Sequence, residues 1–118
     1  MERTAAFIAA AASRVPDGEV QVQRPHVVSF NGELDIWKEG EVDARLSVPD
    51  GGVPIVIDLS EVRYLDSAFL SALVRLRRRL PECPITLVVE APSVRRIFEL
   101  TEMHRLFEIT RTLPRFEE

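Results

Sequence analysis

The chain has 118 residues, enough for one domain with a real core and too few for two. Hydrophobic residues make up 46% and charged residues 29%, and no run approaches the roughly 20 apolar residues of a membrane span. A net charge of −4 argues against a dedicated nucleic-acid binder, and the single cysteine, Cys83, excludes an intramolecular disulfide and a multi-cysteine zinc site.

Arg3 to Val15 reads as a helix with Phe7, Ile8, Ala11 and Val15 on one stripe. A signal peptide is the competing reading, but the alanine-rich run is short and Glu2-Arg3 gives no positive leader. Pro16-Asp17-Gly18 makes a turn. Glu19 to Arg24 alternates polar and apolar residues, as a half-exposed strand does. Pro25 breaks it, and His26 to Phe30 is a second strand, antiparallel to the first because the connection is so short. Asn31 to Asp35 follows as a loop. Ile36 to Val48 is a helix with Ile36, Val42 and Leu46 inward, Asp35 as a plausible N-cap, and Gly40 weakening it by about 1 kcal/mol. Pro49 to Gly52 is a loop.

Residues 55–80 organise the rest. Ile55, Val56, Ile57 and Leu59 form the apolar run of a strand covered on both faces. A short polar loop leads to Leu65-Asp66-Ser67, which opens a helix. Leu70, Leu73, Val74, Leu76 and Leu80 give that helix its inward stripe. Pro81 to Pro84 stops it. Ile85 to Val89 is another buried strand, Pro92 to Leu100 a helix with proline in its first turn, and Leu106 to Ile109 a short last strand. The expected class is α/β: a single mixed, mostly parallel sheet with an antiparallel N-terminal edge, helices mainly on one face, and an extra N-terminal helix. The expected division is a helical extension over 1–15, a domain over 19–110 and a tail over 111–118.

The sequence holds little that resembles an enzyme. His26 and His104 are the available bases, and neither is near Ser67 by any defensible spacing. A Gly-x-Ser-x-Gly elbow, a glycine-rich phosphate loop and a metal-ligand spacing are all missing. No cofactor or metal is expected. Arg75, Arg77, Arg78 and Arg79 sit where cations offset a helix dipole, without the interleaved aromatics of a nucleic-acid surface. Trp37 and Phe69 are either packing residues or exposed anchors flanking Ser67. In a parallel sheet the C-terminal strand ends share one edge, where sites gather. Asp35, Asp58, Asp66 and Ser67 fall near that edge. The residues alone leave two readings open: Ser67 or Asp66 as a helix cap, or Ser67 as an exposed hydroxyl that a kinase modifies.

Gly32-Glu33-Leu34-Asp35 after a strand, Asp58 to Val62, Leu65-Asp66-Ser67 opening a helix, and Ser93 to Thr101 through Leu106-Phe107 together resemble the STAS domain. This is the family of sulfate transporter and anti-sigma factor antagonist domains, and the resemblance spans Val27 to Ile109. It implies a non-enzymatic antagonist in the cytoplasm that binds an anti-sigma factor serine kinase. Phosphorylation of Ser67 would break the complex, and a phosphatase would restore it. Asp35, Trp37, Asp66, Ser67, Ala68 and Phe69 would form the docking surface. The alternative it implies is an adaptor subunit in an assembly such as an ABC-type lipid-transport complex. No nucleic acid and no membrane insertion are expected, and the N-terminal helix could mediate a homodimer. The family pattern is Asp-Ser-Ser/Thr-Gly-Leu, and Asp66-Ser67-Ala68-Phe69-Leu70 departs from it: Phe69 puts a ring where a partner backbone would approach.

Overall fold

A computed structural model describes residues 24–35, 38–48 and 51–113. The elements in order are β1 (His26–Leu34), α1 (Glu39–Arg45), β2 (Ile55–Leu65), α2 (Ser67–Arg79), β3 (Ile85–Val88), α3 (Pro92–Leu100) and β4 (Glu108–Thr110). A 3-10 turn, Met103–Arg105, joins α3 to β4. The sheet order is β1-β2-β3-β4, and each neighbouring pair is parallel. Each connection advances one strand in the same direction. Right-handed crossovers then put α1, α2 and α3 on one face of the sheet.

The core follows from strand alternation. Val28 and Phe30 of β1, Ile55, Ile57 and Leu59 of β2, and Ile85 and Leu87 of β3 pack in one cluster with Val42, Leu73, Leu76, Val94 and Phe98 of the helices. Val56 and Val88 point to the opposite face and are also fully buried. Burying a side chain of this size contributes about 1.5–3 kcal/mol, so the central strands carry much of the stability.

The expected antiparallel edge is not present among the described residues, where every pairing is parallel. Glu19 to Gln23 of the strand proposed for it lie outside the described residues, and Arg24 is not in a strand. The helix expected over Arg3–Val15, and the dimer contact assigned to it, also lie outside.

β1 and β2 run further than the expected strands. His26–Leu34 has 9 residues and Ile55–Leu65 has 11. The two extra residues of β2 are absorbed at two register shifts, between Ser29 and Asn31 and between Gly32 and Glu33 of β1. Asn31-Gly32 is therefore strand rather than loop. Gly32 takes φ +78°, a left-handed value that suits glycine beside a bulge. Asp58 accepts a hydrogen bond from the Ser60 N–H at 3.0 Å, which holds the chain through the first irregularity. Its side chain serves the strand rather than the rim.

α1 is shorter than the expected Ile36–Val48 helix. It begins at Glu39, with Lys38 at the N-cap and no side-chain cap. Asp35 takes part through its carbonyl, which accepts the Lys38 N–H at 2.9 Å, and is not the N-cap.

The arginines of α2 mostly serve the fold. Arg79 donates to the carbonyls of Val48 at 2.7 Å and Leu46 at 2.8 Å, tying α2 to the end of α1. Arg77 donates to the carbonyls of Leu80, Cys83 and Leu106, and its guanidinium lies 5.8 Å from the centre of the Phe107 ring. Arg75 pairs with Asp43 at 3.0 Å. Arg78 is exposed and makes no such bond among the described residues.

Candidate functional site

The joint between β2 and α2 is built by Asp66. Its backbone is extended, with φ −114° and ψ −176°, the usual N-cap geometry. Its carboxylate accepts from the Ala68 N–H at 3.0 Å and the Phe69 N–H at 3.3 Å. A cap of this kind is worth about 1 kcal/mol. The Asp66 N–H in turn donates to the Leu34 carbonyl at 3.1 Å, which fixes the end of β1 against the start of α2. Asp66 is thus used on both its backbone and its side chain.

Ser67 is the first residue of α2 and is exposed. Its hydroxyl makes no hydrogen bond among the described residues. Of the two readings left open by the sequence, the cap falls to Asp66. The Ser67 hydroxyl stands free at the mouth of the helix, with Asp66 already holding the nearest N–H groups.

Asp35 is brought to the same place. Asp35, Glu39 and Val42 share a crevice of about 10 Å³ with Ala68, Phe69 and Ala72. Ala68 and Asp35 are half-buried and Glu39 is exposed, so two acidic residues stand on the Ala68 side of the helix start, while Ser67 lines the other flank with Leu70 and Val74. Asp35, after the end of β1, thus borders the first turn of α2. Trp37 lies outside the described residues.

Phe69 lines that crevice but offers a partner almost no surface. It is only 2% exposed. Its ring meets Phe30 edge to face, with centroids 5.4 Å apart and planes at 80°. The Arg45 guanidinium covers Phe30 at 5.2 Å. Of the two readings of Phe69, packing residue or exposed anchor, the packing one holds, and the ring that the resemblance places against a partner fills the core between β1 and the helices. Phe69, Ala72, Leu73 and Leu76 are the buried positions of α2. The inward stripe is centred about one residue away from the one drawn through Leu70 and Val74. Those two are half-buried on the flank of the helix that carries Ser67. Both still pack against the core cluster, as expected, but each keeps part of its side chain at the surface. The signal was present: a phenylalanine at the first turn outweighs a leucine beside it, and the 3.6-residue count started from Phe69 gives the observed stripe.

His26 and His104 are exposed, at the start of β1 and in the turn after α3. Neither side chain makes a hydrogen bond among the described residues. No group of three or more His, Cys, Asp or Glu among the described residues could hold a metal ion. No helix of the described residues is long and apolar enough to cross a membrane. The chemistry left at this rim is a free hydroxyl in an acidic setting on a rigid support.

Comparison with known proteins bears on the domain as a whole. A family model described as "Mlab, STAS domain" matches residues 18–110. An anti-sigma factor antagonist from Mycobacterium paratuberculosis is similar in structure, with a TM-score of 0.65 and 30% identity over 84% of this chain and 91% of that one. The anti-sigma factor antagonist SpoIIAA in its unphosphorylated form has a TM-score of 0.59 and 20% identity over 79% of this chain and 86% of that one. At that lower identity the likeness speaks to the fold alone.

Proposed function

This chain belongs to the STAS domain family, and from that premise we propose that it is an anti-sigma factor antagonist switched by phosphorylation at Ser67. The unmodified protein binds an anti-sigma factor that is also a serine kinase, and so releases a sigma factor. It is a cytoplasmic regulatory protein rather than an enzyme, and a phosphatase returns it to the binding state. The docking surface comprises Asp35, Asp66, Ser67 and Ala68, together with Trp37, two positions after Asp35 in the sequence. Phe69 supports it from beneath.

The observation that carries this reading is the free Ser67 hydroxyl beside a cap that is already complete. A phosphate there adds about −1.5 to −2 charge at neutral pH. The Ala68 and Phe69 N–H groups are engaged by Asp66, so the phosphate gains little from the helix start and projects toward the partner. Repulsion from Asp66 and added bulk then fall on the interface, while the scaffold keeps its bonds.

The test is incubation of the purified chain with ATP and a candidate anti-sigma serine kinase, followed by mass spectrometry and binding measurements. Phosphate is expected on Ser67. Wild type and Ser67→Ala should bind the kinase alike, and Ser67→Asp should bind at least about tenfold more weakly, about 1.4 kcal/mol. Equal binding of all three, with no phosphate on Ser67, would sink the switching account. Co-purification with a transport ATPase and permease instead of a kinase would replace it with the adaptor role.

A further inference from the structure

Beyond Ser67 the flank of α2 opens into a groove of about 510 Å³. Leu70 and Val74 form one wall, Thr101 and Met103 from the end of α3 and the following turn form the other, and Ser67 and Arg78 stand at its two ends. Leu70 and Val74 are half-buried, and Met103 is only 4% exposed, so the floor is apolar and packed.

The two ends of the groove differ in charge. Ser67 stands beside the Asp66 carboxylate. Arg78, by contrast, has no acidic partner among the described residues, while its neighbour Arg75 is neutralised by Asp43. Ser67 and Arg78 are 11 positions apart on α2, about 16 Å at 1.5 Å per residue. That is three helical turns; anchors at i, i+4 and i+7 of an amphipathic helix occupy about 10 Å of it, which leaves about one further turn for the end that meets Arg78.

We infer that this groove takes an amphipathic helix of a protein partner, with its apolar stripe on Leu70, Val74 and Met103 and acidic residues at the end that meets Arg78. The acidic end is set locally by Arg78, whose charge is unpaired among the described residues, and it acts against the chain's net charge of −4. The inference deepens the proposed function: the helix would belong to the partner whose release Ser67 controls, and a phosphate at Ser67 would close the far end of the groove. Binding then has two separable parts, a charge contact at Arg78 and an apolar contact at Leu70 and Val74. The Arg78 part weakens with salt and the apolar part does not.

The test is an amide-shift titration by NMR of the full chain with two synthetic helical peptides of about 15 residues. Both carry leucines at i, i+4 and i+7; one ends in a glutamate cluster and the other in a lysine cluster. The glutamate peptide should shift the amides of Leu70, Val74, Arg78 and Met103, and bind about tenfold tighter than the lysine peptide. Arg78→Glu should reverse that order, and Val74→Asp should abolish both. Equal affinity for the two peptides, no shifts, or shifts confined to another face would overturn the inference. So would a concentration-dependent dimer lost in Arg78→Glu, since the occupant would then be a second copy. Neither kinase nor phosphate enters this titration, so its failure is distinct from a failure of the Ser67 switch.

Discussion

At the scale of the residue, Phe69 belongs to the core although it stands only two positions after the exposed Ser67. Its ring occupies the space between β1 and α2 and rests on Phe30. Phe69→Ala should cost about 3–5 kcal/mol, the usual range for emptying a buried phenylalanine site. Urea denaturation would measure this, and a loss below about 1 kcal/mol would show that the ring is not packed as described. The same variant should leave Ser67 as reactive toward a kinase as in wild type, because Asp66 caps the helix independently of the ring. Whether Phe69 faced in or out was not legible from motif comparison, which places residues by alignment. It was legible from helical periodicity, which places them by angle.

At the scale of the element, the arginines of α2 divide the labour. Arg79 spans from α2 to the carbonyls of Leu46 and Val48, where α1 ends without a glycine cap. Arg79→Met keeps the apolar stem and removes both donated bonds. The expected loss is about 1–2 kcal/mol, discounted from the usual value for charged donors because the residue is exposed. Thermal unfolding monitored by circular dichroism would read it, and an unchanged midpoint would refute the role. Element types were legible where patterns were strong: α3 matches its expected bounds, and β3 differs by one residue at its end. The long ends of β1 and β2 were not legible. In β2 the inward residues Leu59, Val62 and Leu65 recur every three positions, because each register shift inserts an extra residue. A strand with that spacing does not alternate. In β1 the inward position between Phe30 and Leu34 is Gly32, which leaves no apolar side chain to mark it. Asn31-Gly32 therefore has the composition of a turn while serving as strand.

At the scale of the whole molecule, stability should be graded across the sheet. β2 and β3 are the inner strands, and Val56, Ile57, Leu87 and Val88 are all 0% exposed. α1 has only seven residues and no side-chain cap. Native-state hydrogen exchange should find the amides of Ile55–Asp58 and Ile85–Val88 opening only with global unfolding. Those of α1 should exchange through local opening several orders of magnitude sooner. Protection of α1 equal to that of β3 would contradict this gradient. The gradient bears on the docking surface, whose two halves come from opposite ends of it. Ser67 begins a thirteen-residue helix packed on the inner strands, whereas Asp35 precedes the weakly held α1.

The Asp66 N–H bond to the Leu34 carbonyl is the seam between those halves. A visitor that reshapes the Asp35 side can do so without prising α2 loose, since the aspartate grips its own helix with separate atoms. Adaptability on one bank and constancy on the other would let the same landing place accept somewhat different visitors while presenting Ser67 to each at an unchanged angle.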